Sequence, residues 1–111
     1  MVDLTFLKQF TKGDPVKMRR YITLYLEVAP KTFEEMQQNF KHSDWEQLRI
    51  NAHSLKPQAD FMGINSLKEA LVKIEECALK GELQDLEDLV PTAQSISAES
   101  AQVLKEHLAE L

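Results

Sequence analysis

The feature that most limits the fold is an apolar repeat of three and four residues. It runs almost the whole length of the chain and breaks only near the 3 glycines. Such spacing puts side chains on one face of an α-helix, which turns about 100° per residue. Met18, Ile22, Tyr25, Ala29, Phe33, Met36 and Phe40 form one stripe. Trp45, Leu48, Ala52, Leu55, Ala59 and Met62 form the next. Leu67, Ala70, Leu71, Ile74 and Ala78 make a third, and Leu86, Val90, Ala93, Ile96, Val103 and Leu104 a fourth. The fold class read from these stripes is all-α.

Local signals place the ends of the helices. Gly13, Gly63 and Gly81 fall between stripes, where a left-handed turn or a helix stop is expected. Asp14 is suited to an N-cap and Pro15 to the first helical position. Ser43 with Glu46 forms a possible capping box, with Asp44 as the competing cap. Asn65 or Ser66 opens the next helix, which ends at Lys80-Gly81. The last helix is expected from about Leu83 to Leu108. Pro30 should kink its helix, and Pro91 should kink or divide the last one. Leu4, Phe6, Leu7 and Phe10 suffice for a short helix capping the core. Four substantial helices with short connections predict an up-down antiparallel four-helix bundle with an N-terminal cap helix. Residues 1–111 are expected to form one such domain.

Composition narrows the class of function. The net charge of −5 and pI near 5.2 argue against a nucleic-acid partner. No apolar run approaches the roughly 18 residues of a membrane span, and the start "MVDLTFLKQF" lacks the features of a secretion signal. The single cysteine, Cys77, precludes an internal disulfide and fits a reducing compartment. The expected location is cytoplasmic. His42, His53, His107 and Cys77 lack the short spacings of a metal site. Glu75, Glu76, Glu82, Glu87 and Asp88 read as solvated faces.

The stretch "NAHSLKPQADFMG", residues 51–63, sets His53 apart. On a helical wheel His53 falls opposite Leu48, Leu55, Ala59 and Met62, so it should be exposed. Arg49, Lys56 and Asp60 flank it on one side, and Ile50, Pro57 and Phe61 on the other. Asp60 is placed to pair with Lys56 or Arg49. An exposed imidazole titrates near 6.5 in water and is a good nucleophile near neutrality. A phosphoryl group on the ring would bring negative charge that Lys56, three residues on and facing water, offsets. Pro57 has no long side chain to cover the ring, and its missing N–H frees the His53 carbonyl. Phe61 is expected to pack against neighbouring helices. The same pattern also fits a plain surface histidine on an interaction bundle.

Residues 52–75, "AHSLKPQADFMGINSLKEALVKIE", resemble the signature of histidine-containing phosphotransfer (HPt) domains. That pattern runs A-H-x-L-K-G, five variable residues, a glycine, then an amphipathic helix ending near a Glu. Ala52, His53, Leu55, Lys56 and Gly63 match it in place, and "DLTFLKQFTKGDP" and "HSDWEQL" resemble the family's cap helix and inter-helix turn. Pro57 stands where the family usually has glycine. Both leave the ring open, but the backbone differs there. The resemblance implies a phosphoryl carrier rather than an autonomous enzyme. It implies that His53 is the phosphorylated nucleophile and Lys56 the residue that steadies the phosphate. Arg49, Ile50, Pro57 and Asp60 would then lie on a receiver-docking face. The implied partners are receiver domains of response regulators and a hybrid sensor histidine kinase. The chain would need no cofactor of its own, the Mg²⁺ sitting on the partner receiver, and would act as a monomer. The alternative is a helical adaptor that docks receivers or helices without being phosphorylated.

Overall fold

The computed structural model describes residues 2–111, and its regular structure is helical throughout. A short helix α1 (Thr5–Phe10) precedes α2 (Pro15–Lys41), α3 (Trp45–Phe61), α4 (Asn65–Lys80) and α5 (Leu83–Glu110). α2 packs on α3 and α5, and α4 packs on α3 and α5, which closes a four-helix ring. The helices of 27 and 28 residues, α2 and α5, account for the 43 Å long axis at about 1.5 Å per residue. The predicted up-down bundle with its cap helix is the fold observed.

The stripes are buried much as their spacing requires. Met18, Ile22, Tyr25, Ala29, Phe33 and Met36 turn inward from α2, and Leu48, Ala52, Leu55 and Ala59 from α3. Leu67, Leu71 and Ile74 meet them from α4, and Leu86, Val90, Ala93 and Leu104 from α5. Phe40, Ile96 and Val103 are half-buried rather than internal. In α5 the interior takes Ser97 and Ser100, which the apolar pattern passes over. Ser97 is there because the buried Tyr25 hydroxyl needs a partner, and their oxygens lie 2.7 Å apart.

The helix ends explain the connections. Asp14 caps α2 through Val16 N–H and Lys17 N–H, with Pro15 at the first position. Asp44, not Ser43, caps α3, accepting from Gln47 N–H at 3.2 Å. Ser43 instead adopts φ 56° in the turn, so the Ser43–Glu46 capping box does not form. α4 starts at Asn65 without a side-chain cap. Both α2 and α5 continue through their prolines, and Pro91 does not divide α5.

Gly63 does more than end α3. Its φ is +63°, and a β-carbon there would lie 1.9 Å from the Asp3 carbonyl oxygen. The irregular segment before α1 crosses over this turn, Asp3 N–H donating to the Met62 carbonyl at 3.3 Å. α1 then lays Phe6 and Phe10 against Phe61, and Phe10 against Tyr21. The cap helix is thus seated on the α3–α4 turn.

Gly81 has a similar φ of +76° but open space around it. Gly81→Ala should therefore lose only the left-handed penalty, about 1–2 kcal/mol. Gly63→Ala should lose more, because the Asp3 backbone must also move. Denaturant unfolding of both variants, with amide exchange read over residues 3–10, checks this. Equal losses and unchanged exchange would show that α1 is not held by the turn.

Candidate functional site

α3 places His53 on its outer side because the neighbouring positions are held inside. Ala52 and Leu55 are buried in the core. Asn51, also buried, donates from Nδ2 to Asn39 Oδ1 on α2 at 2.7 Å. The Ser54 hydroxyl donates to the Asn51 carbonyl at 2.9 Å. This turn of α3 is pinned from within, and the His53 side chain stands 65% exposed, as the wheel predicts.

The ring is not free on all sides. His53 Nδ1 lies 2.6 Å from Glu75 Oε2 on α4. Lys56 Nζ donates to the other oxygen of the same carboxylate, Oε1, at 2.7 Å. One carboxylate therefore bridges both residues of the His-x-x-Lys motif. Burial pushes the Glu75 carboxyl up, but hydrogen bonds and charge from Lys56 and His53 outweigh it and hold the group below the ordinary glutamate range. An ionised carboxylate only accepts hydrogen bonds. The proton is thus on Nδ1, and the lone pair of the neutral ring is on Nε2, which bonds to no protein group among the described residues.

Three sequence expectations change here. Glu75 is not a solvated acid: its side chain is 19% exposed and belongs to the site. Lys56 does not face water freely but is mostly buried, at 24% exposure, against Glu75. Asp60 pairs with neither Lys56 nor Arg49. It meets Lys68 of α4 at 2.9 Å, while Arg49 is taken by Glu46 at 2.6 Å. Ile50 and Pro57 are exposed beside the ring, and Phe61 packs in the aromatic cluster with Phe6, Phe10 and Tyr21. Pro57 leaves α3 continuous to Phe61.

The signal for Glu75 was present in the spacing. His53 and Glu75 are equidistant from Ile64 along the chain, and so are Asp60 and Lys68. Folding α3 onto α4 about that turn brings each pair together. A wheel of α3 alone cannot show this.

Metal-ligand types also gather elsewhere. Cys77, Glu82 and Asp85 bring their ligand atoms within 4.8 Å of one another at the α4–α5 turn. This group, the one found among the described residues, includes neither His53 nor Glu75. Among the described residues no helix is long and apolar enough to cross a membrane.

Comparisons with known proteins bear on the family and the fold. The Hpt domain model matches residues 20–111. The chain belongs to the Hpt domain family. Histidine phosphotransfer in phosphorelays is the function that goes with this family, and the chain is a phosphocarrier module of that kind. The crystal structure of histidine-containing phosphotransfer protein B from Pseudomonas aeruginosa PAO1 is similar over 99% of this chain and 96% of its own, with TM-score 0.92 and 20% identity. The Hpt domain of a sensor hybrid histidine kinase from Shewanella is similar over 99% of this chain and 95% of its own, with TM-score 0.84 and 15% identity. No curated protein sequence matches the chain.

The Glu75 bridge of this Hpt domain has a pH signature. Because its folded pKa is depressed, its charge adds stability that is full above the ordinary value of 4.5 and is lost as pH falls through the lower folded value. Glu75→Gln should therefore flatten the acid side of the stability curve. Denaturant unfolding between about pH 6 and pH 3 measures the difference. Parallel curves for the two proteins would contradict the bridge.

Proposed function

We propose that His53 accepts a phosphoryl group from a phospho-aspartate of one receiver domain and hands it to the aspartate of another. The observation that supports this is the Nδ1–Glu75 bond beneath an exposed ring, which leaves Nε2 as the attacking atom. In the step, the Nε2 lone pair forms a bond to phosphorus. The acyl O–P bond of the phospho-aspartate breaks, and its electron pair leaves on the carboxylate. The ring keeps its Nδ1 proton and becomes cationic. Glu75 faces that proton and stabilises the new charge, as an acid orienting an imidazole does in other group transfers. Transfer back is the reverse of the same step.

Lys56 acts on the phosphate side. Its ammonium is held beside the ring by Glu75, so the chain spends little rotamer entropy to place it. The reaction needs in-line positioning more than new covalent chemistry. The chain on this reading is a carrier and not an autonomous enzyme, and the Mg²⁺ sits on the receiver.

The docking face proposed for the receiver surrounds the ring. Ile50 is 42% exposed, and Pro57 lies one turn beyond His53. A surface cavity of about 360 Å³ lined by Phe6, Pro57, Asp60 and Phe61 continues the face toward α1. Arg49 and Asp60 supply charges on its rim. The proposed partners are response-regulator receivers and a hybrid sensor histidine kinase, met in the cytoplasm by a monomer.

Incubation with a phosphorylated receiver domain tests this reading. The chain should take up acid-labile, base-stable label, and His53→Gln should take up none while keeping its helicity. Label retained in His53→Gln would refute the site. Lys56→Ala should slow transfer on the order of tenfold, the worth of one charge-assisted hydrogen bond. It should also lower stability, since Glu75 loses its partner. An unchanged rate, measured by rapid quench, would remove the role given to Lys56.

A further inference from the structure

We infer that Arg49 is the cation that grips the phosphoryl group on His53, leaving Glu46 to do so. The inference rests on His53 being the phosphorylated residue and goes beyond the docking role given to Arg49 above.

A charge count motivates it. A phosphoryl group carries about −1.5 to −2 near neutrality. The phosphorylated ring with its Nδ1 proton carries one positive charge. Lys56 and Glu75 are bonded to each other at 2.7 Å and cancel. Close to one negative charge is therefore left over. The cation that the motif itself supplies is shared with Glu75, so it does not neutralise the phosphate by itself.

Two other cations adjoin the α3–α4 seam. Lys68 is held by Asp60 at 2.9 Å. Arg49 lies one helical turn before His53, on the same face of α3. Helical side chains tend to lean toward the N-terminus, which is the direction in which Arg49 lies from His53 on α3. Glu46 holds the Arg49 headgroup first, by hydrogen bond and charge, and the Glu75 carboxylate adds to its field. The guanidinium is thus within electrostatic reach of the group that bonds the ring.

Its present partner is a weak one. The bond runs from Arg49 Nη2 to Glu46 Oε1, a carboxylate 70% exposed and three residues away on the same helix. A single contact on one helix whose acid end stands in solvent contributes little. Arg49 Nε is buried and bonds to nothing among the described residues. A dianionic phosphate offers the planar fork two acceptors at once, which a single shared carboxylate oxygen does not. A swing of the guanidinium from Glu46 to the phosphate would carry Nε out of its buried, unpaired position to an acceptor. Glu46 becomes the resting place of the arginine and the competitor of the phosphate.

The test uses the full chain phosphorylated by phosphoramidate, whose P–N bond breaks with loss of ammonia as the His53 Nε2–P bond forms. No receiver is present, so a docking role cannot contribute. The second ionisation of the phosphoryl group, near pH 6, is followed by ³¹P NMR. Arg49→Gln should raise its apparent pKa by about half a unit or more, because the dianion loses a cation. Arg49→Lys should restore part of the shift, and Glu46→Gln should move it the other way or leave it at the wild-type value. Far-UV circular dichroism confirms that each variant is folded. An Arg49→Gln protein that titrates like wild type on His53 would overturn the inference and leave the phosphotransfer reading standing. Label found on His42 or His107 instead of His53 would overturn both.

Discussion

The site depends on one carboxylate that serves two neighbours. Glu75 gives Oε2 to the His53 ring and Oε1 to the Lys56 ammonium. The first bond sets which ring nitrogen is a base. The second fixes a cation beside it. Neither residue of the motif could be so placed by α3 alone, because both long side chains would otherwise sample several rotamers. The acid that orders them comes from the other arm of the hairpin. Its own burial pushes the carboxyl up, and the two donors outweigh that and hold it below the ordinary glutamate range. Site and charge state are therefore coupled.

That bridge requires a fixed register between α3 and α4, and the register has identifiable sources. The turn at Gly63 sets the point of reversal, and the Asp3 backbone lies so close over it that no side chain fits. Leu55, Ala59, Leu67, Leu71 and Ile74 interlock beneath the seam. A sliding error would bury the wrong face of either helix, which the hydrophobic core penalises far more than any surface ion pair could recover. The Asp60–Lys68 pair lies on the same seam and reports the same register. Packing thus positions the polar groups, and the polar groups define the chemistry.

Much of this was legible from residues alone. The apolar stripes located all the long helices, and Asp14-Pro15 marked the start of α2. The wheel put His53 outside because Leu48, Leu55 and Ala59 had to be inside. Glu75 was misjudged for a physical reason: a charged residue on an amphipathic helix looks solvated until the neighbouring helix is placed. Lys56 and Asp60 were misassigned by the same omission, since a single-helix wheel offers them only partners on α3. Ser97 escaped the apolar pattern because its burial answers to the Tyr25 hydroxyl, a residue far away in sequence. The residues alone left the backbone after Pro57 undecided, and α3 runs on to Phe61. What the single-helix readings lose is what only the contact between helices determines.

The account stands or falls on the proton held between His53 and Glu75. Nitrogen-15 NMR of the imidazole in the unphosphorylated chain reads it directly at a pH where the ring is neutral. The account predicts a protonated, pyrrole-like Nδ1 and a bare, pyridine-like Nε2, with the pattern lost from a single site when Glu75 is replaced by alanine. A ring protonated on Nε2, or an even mixture of tautomers indifferent to residue 75, would contradict it.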